Sequence, residues 1–123
     1  MPFTACIQPL DRYLRITVAG SLNAPEETME YLALVARMAD EYSLTRILLD
    51  ELRLGLTAEL LDVYSFADSH LAQGMIERGF RLACLPNLAH RDFLLTVETI
   101  LNNRSLSFRV FNLEAEAIAW LNR

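Results

Sequence analysis

The stretch Thr45-Arg46-Ile47-Leu48-Leu49-Asp50-Glu51, followed by Leu52-Arg53-Leu54-Gly55-Leu56-Thr57, decides the fold. Ile47, Leu48 and Leu49 are apolar without alternation, the pattern of a strand buried on both faces in the middle of a parallel sheet. The stretch reads as a central strand over 46–50, a short loop, and a helix start at Thr57. In open α/β sheets functional groups collect where strands end and helices begin. This junction is therefore the first place to look for a site.

Working outward, residues 80–85 repeat the continuous apolar pattern and predict a second central strand, stopped by Pro86-Asn87. Residues 3–9 predict a first strand, with Pro9 at its end, where it need not donate to a ladder. Residues 13–19 alternate: Leu14, Ile16 and Val18 point one way, Arg15 and Thr17 the other, and Gly20 ends the strand. The turn Leu10-Asp11-Arg12 makes these two an antiparallel hairpin. A last strand is expected over 107–111, with Phe108 and Val110 facing opposite to Arg109.

Four helices fit between and after the strands. Over 24–42, Met29, Leu32, Val35, Ala36 and Ala39 form an apolar stripe, with Pro25, Glu26 and Glu27 in the first turn. Over 58–72 the inner side is Leu60, Val63, Tyr64, Ala67 and Leu71, with Gln73-Gly74 as a stop. Residues 91–103 place Phe93, Leu94, Val97, Ile100 and Leu101 inward, and residues 114–122 place Ala117, Ile118 and Leu121 inward beside Trp120.

The order β-β-α-β-α-β-α-β-α predicts a mostly parallel five-stranded sheet with right-handed crossovers, an antiparallel first strand and the spatial order 1-2-3-4-5. All crossovers then run in one direction and the helices gather on one face. The other face, carrying Leu48, Ala83 and Leu85, would be left open for a partner subunit to cover, which is the reason to expect a homo-oligomer.

The chain has 123 residues, 53% of them hydrophobic and 22% charged, the size and composition of one domain with its own core. No segment approaches the about 18 apolar residues of a membrane span, and Met1–Cys6 has no basic region followed by an apolar run. A cytoplasmic protein is expected. The formal net charge is −5 and all eleven basic residues are arginines, scattered along the chain, which argues against nucleic acid as a partner. The absence of lysine excludes a Schiff-base lysine and a Walker-type phosphate loop. It also argues against a receiver-like switch, and four scattered glycines exclude a dinucleotide fingerprint. Cys6 and Cys84 each lie in an apolar run and read as small buried hydrophobes, not as a disulfide.

The layout, together with Phe93-Leu94, Val97-Glu98, Asn103-Arg104, Arg109-Val110-Phe111 and Glu116-Ala117-Ile118-Ala119-Trp120-Leu121, resembles the STAS fold of SpoIIAA-like proteins, and among them the small bacterial STAS/SEC14-like group. The resemblance implies a regulatory or protein-interaction module with no catalytic residues and no cofactor. It also implies a phosphorylated serine in an Asp-Ser motif at the start of the second helix. Here Asp50 is in place and no Asp-Ser pair follows, so Thr57 is the nearest hydroxyl and the phosphosite candidate. The alternative role for Thr57 is that of a plain N-cap, its hydroxyl accepting from a backbone N–H near Glu59 or Leu60.

Other chemistry is sparse. His70 and His90 make no metal spacing with each other or with the cysteines. Asp50 and Glu51 are adjacent in a strand and point to opposite faces, so they cannot share a proton. The loop Pro86–Asp92 leaves the same sheet edge as the Thr57 junction. Asp50, Glu51, Thr57, His90 and Arg91 are therefore the candidates for an interaction or ligand crevice, suited to a small anion or an acidic protein. The leading expectation is a non-enzymatic interaction module. The alternative is a small-molecule or lipid-binding module, and a small hydrolase is the third possibility.

Overall fold

The computed structural model describes residues 2–123. Strands β1 (Phe3–Pro9), β2 (Leu14–Leu22), β3 (Arg46–Leu56), β4 (Arg81–Pro86) and β5 (Ser107–Val110) form one sheet in the order β1-β2-β3-β4-β5. The pair β1–β2 is antiparallel and the others are parallel. The helices are α1 (Pro25–Tyr42), α2 (Leu60–Ala67), α3 (His70–Glu77), α4 (Arg91–Asn103) and α5 (Glu114–Leu121), with a single 3-10 turn at Leu88–His90. Strand order and strand sense follow the sequence expectation.

The expected helix over 58–72 is two helices. Ser69 breaks it: its Oγ accepts from the Ala72 N–H at 3.2 Å and donates to the Phe66 carbonyl at 2.6 Å, capping α3 as it closes α2. Gly74 sits inside α3 and does not end it. Leu60 and Tyr64, expected inward, are exposed, and α2 buries Val63, Phe66 and Ala67.

β2 runs three residues past its expected end. Gly20 lies within it at φ +107°, and a Cβ there would stand 2.5 Å from the Pro2 carbonyl oxygen. Glycine is required at that point because the start of β1 crosses it closely, with the Ser21 N–H bonded to the same carbonyl at 3.1 Å.

Two cores flank the sheet. The larger lies against α1 to α4 and includes Ile16, Val35, Ile47, Leu49, Met75 and Leu101. The smaller consists of Leu48, Ala83, Leu85, Phe111, Ala117 and Leu121, with Tyr13, Ile118 and Trp120 packed against it. Leu48, Ala83 and Leu85 thus share a face, as expected, but α5 of the same chain covers it and no subunit is needed there. Arginines hold α5 at both ends. Arg15 pairs with Glu114 in its first turn at 2.7 Å. Arg46 donates to the Leu121 carbonyl at 2.6 Å, and Arg81 donates to the carbonyls of Trp120 and Arg123 while stacking on the Trp120 ring. Cations at the carbonyl end of a helix complement its dipole.

Cys84 is buried, as expected, but Cys6 is exposed. Ala5 and Ile7 turn to the larger core, which sends Cys6 to the face that α5 covers only over β3 and β4.

Candidate functional site

β3 does not stop at Asp50. It continues through Leu56, paired to β2. The register slips between Thr17↔Asp50 and Ala19↔Arg53, so β3 carries one extra residue, a bulge at Glu51-Leu52. The slip resets which residues face which side. Ile47 and Leu49 face the larger core, and after the bulge so does Leu54, which unbroken alternation would have sent to the other side.

Beyond β4 the extension has no strand on its outer side. Two side chains from the β4–α4 connection replace it. Asn87 Nδ2 donates to the Leu54 carbonyl at 3.3 Å, and the Leu56 N–H donates to His90 Nε2 at 3.1 Å. His90 therefore stands next to Thr57 as expected, but as an acceptor that finishes a ladder, with the proton of the neutral ring on Nδ1.

The five candidates separate. Asp50 faces α5, where its Oδ2 pairs with Arg15 at 2.8 Å, and Arg15 in turn bridges to Glu114. Glu114 first, and then Asp50, raise the proton affinity of that guanidinium. Glu51 faces the opposite side, as strand geometry requires. Arg91 leaves the junction: its Nε donates to Asn112 Oδ1 at 2.7 Å, in the loop after β5. The expected convergence of Arg91 with His90 and Thr57 is thus not formed, because Asn112 offers Arg91 a partner on the α5 side. Thr57 is exposed, its hydroxyl 3.5 Å from Asn23 Oδ1. It does not cap α2. Glu59 does, in a capping box in which the Glu59 N–H bonds Asp62 at 3.1 Å and the Glu59 side chain accepts in return.

The most unusual environment belongs to Glu51. Its carboxyl is buried, with Oε2 accepting from the Tyr31 hydroxyl at 2.6 Å and Oε1 from the Cys84 thiol at 3.5 Å. Neither partner is a sequence candidate. Tyr31 lies one position before the expected stripe residue Leu32, yet it is Tyr31, Val35 and Ala39 that α1 buries. Burial raises the Glu51 carboxyl above the usual carboxylate range, opposed by the bonds from Tyr31 and Cys84. Burial, then the neighbouring Glu51, push the Tyr31 phenol and the Cys84 thiol well up. Cys84 is thus held as a thiol, the unreactive form.

Glu51 stands in the wall of an apolar cavity of about 100 Å³ between the sheet and helices α1, α2 and α4. Leu49, Leu82 and Phe108 line it from the sheet and Val97 from α4, and the half-buried Thr28, Leu56, Ala58, Asp62 and Phe93 place its opening toward the carboxyl ends of the strands. Among the described residues no three His, Cys, Asp or Glu side chains are grouped as a metal site requires.

The arrangement of the whole chain matches solved structures. A crystal structure of an anti-sigma factor antagonist from Mycobacterium paratuberculosis superposes with a TM-score of 0.60 at 15% identity, over 98% of this chain and 95% of that one. An uncharacterised protein of the DUF3478 family with a SpoIIAA-like fold, from Shewanella loihica PV-4, superposes with a TM-score of 0.55 at 19% identity, over 97% and 93%. The fold is SpoIIAA-like. No protein-family model matches the sequence, and no curated protein matches it. In this SpoIIAA-like fold the β3–α2 junction lies at the carboxyl end of a central strand. Among the described residues no helix is long and apolar enough to cross a membrane.

Proposed function

We propose that this chain is a non-enzymatic protein-interaction module of STAS type, which docks its partner on the carboxyl end of the sheet. The observation that carries this reading is a group of leucines exposed on adjoining elements. Leu52 on β3 is 53% exposed, Leu61 on α2 is 72% exposed, and Leu88 on the 3-10 turn is 81% exposed, with Leu60 beside Leu61. α2 follows directly from β3, and the Asn87 and His90 bonds tie the turn to the same strand. Scattered surface leucines need no explanation, but apolar side chains gathered at one end of a domain mark a contact surface.

The partner that fits is a protein face that is apolar at its centre and basic at its rim. The chain carries a net charge of −5, and Glu59 and Asp62 stand at the start of α2. Protein docking also fits the matched anti-sigma factor antagonist, whose described role is to act on another protein. The reactive groups support a non-enzymatic reading: Cys84 is a buried thiol, Asp50 is paired with Arg15, and His90 is occupied by the Leu56 N–H. A kinase-operated switch at Thr57, exposed on this same end, is the regulatory form of this reading. Equal partner binding by Thr57→Ala and Thr57→Asp rules that form out.

The test is binding of a partner captured from cells and then purified. Titration calorimetry of the purified pair is expected to show at least tenfold weaker binding by the double variant Leu61→Glu/Leu88→Glu, with its circular dichroism unchanged. Equal affinities would overturn the assignment of this surface.

A further inference from the structure

The cavity beside Glu51 has chemistry that the docking surface does not use. Its walls are largely apolar, and the ionisable side chains lining it are the Tyr31 phenol and two carboxyls, Glu51 within and Asp62 near the opening, with no arginine or histidine among the lining residues. Asp62 is tied to the Glu59 N–H, and the ion pairs among the described residues leave Glu51 without a cation. A buried carboxyl is ordinarily matched by a cation or held neutral, because an unpaired charge in apolar surroundings is costly. Here two neutral donors, Tyr31 and Cys84, stand where a cation would.

We propose that the cavity binds a compact apolar amine, whose ammonium enters between α1, α2 and α4 and pairs with the Glu51 carboxylate. Three observations carry the class of ligand. The lining excludes a small anion: a carboxylate or phosphate would meet two acids and no base, so the anion expected from the sequence does not suit this cavity. The size limits the ligand. An apolar cavity of about 150 Å³ accepts the six heavy atoms of benzene, so about 100 Å³ with one open side suits a ligand of about four to five heavy atoms, the nitrogen included. The polar lining is sparse, and Glu51 is its one deeply buried carboxyl, since Asp62 is held by the Glu59 N–H, so an ammonium has one buried charged partner to orient it. The burial that raises the Glu51 carboxyl also makes the site selective for charge: an arriving ammonium favours the ionised form, and a neutral isostere gains nothing from it.

The probes are isobutylamine, its neutral isostere isobutanol, and isovalerate, titrated into the full chain and followed by two-dimensional NMR. The amine is expected to shift resonances of Tyr31, Val63, Val97 and Phe108 in a saturable way. It should bind at least tenfold more tightly than the alcohol, and the carboxylate should not bind. Glu51→Gln keeps the shape and removes the charge, and is expected to cost the amine at least tenfold while leaving the alcohol unchanged. Ala58→Phe, at the opening, is expected to weaken both. Equal affinity for amine and alcohol in the wild-type protein, or absence of saturable shifts with the amine, would overturn the proposal whether or not Glu51→Gln folds.

Discussion

Replacing Leu121 with alanine is expected to lower the unfolding free energy by about 2–5 kcal/mol, the range for truncating a fully buried leucine. Leu121 is completely buried, in the last turn of α5, among Leu48, Ala83, Leu85, Phe111 and Ala117. The small size of this core is what makes the substitution severe. Two of its six buried residues are alanines, and the larger neighbours are already packed in the same small core, so the space left behind is filled only in part. Urea denaturation provides the measurement, and it also separates two ways of covering this face. If α5 covers it, the loss is present at every protein concentration. If a second subunit covered it, the midpoint would depend on concentration. A loss below about 0.5 kcal/mol, the level of an ordinary surface substitution, would mean that α5 does not pack as described.

Tyr31→Phe is the second large effect and acts on the candidate site. The ring and its edge-on contact with Phe3, centroids 5.8 Å apart, are kept. Only the hydroxyl that bonds Glu51 is lost. Leaving a buried carboxyl oxygen without its donor costs about 1–3 kcal/mol. The loss depends on pH, with a definite sign. The folded Glu51 carboxyl lies above its unfolded value because burial opposes ionisation. Its contribution to stability is therefore full below the unfolded value, about 4.3, and is lost as pH rises through the folded one. The Tyr31 bond favours the ionised form, so removing it moves the folded value further up and widens that interval. The stability difference between wild type and Tyr31→Phe is expected to grow as pH is raised from 4 toward 9 in a series of urea titrations. A difference that is constant or shrinks with pH would contradict the bond from Tyr31 to Glu51.

Much of the architecture was legible because it rests on rules that act locally. The unbroken Ile47-Leu48-Leu49 and the run from Leu82 to Leu85 marked the two central strands, and their crossovers then fixed strand order and the face taken by α1 to α4. The same rule is silent about α5. Handedness constrains a helix that joins two parallel strands, and among the described residues α5 joins no two strands, so that rule does not assign it a face. The extension of β3 did leave a signal: Leu52, Leu54 and Leu56 alternate with Arg53 and Gly55, which is strand periodicity in what was expected to be a loop. The break at Ser69 was marked only by one capping residue, in a segment with no proline and no glycine before Gly74.

The site was harder to read for a different reason. Asp50 and Glu51 were correctly sent to opposite faces, but an acidic residue at a strand end is normally exposed. Nothing local shows that Glu51 is buried. Its burial depends on Tyr31, twenty residues earlier, on Cys84, thirty-three residues later, and on a bulge visible only in the pairing of β2 with β3. His90 and Thr57 were placed at the right end of the sheet, yet what His90 does there depends on β4 ending one connection short of the Leu56 N–H.

The most direct test of the central claim, that this fold buries a carboxyl against Tyr31 and Cys84 in an apolar cavity, is the titration of Glu51 itself. The side-chain carboxyl ¹³C shift, followed against pH in the wild type and in Tyr31→Phe, reads it without reference to any ligand or partner. The midpoint is predicted to lie above the ordinary glutamate value of about 4.3 and to move higher in Tyr31→Phe. A midpoint at or below the ordinary value, or one that Tyr31→Phe does not move, would contradict it.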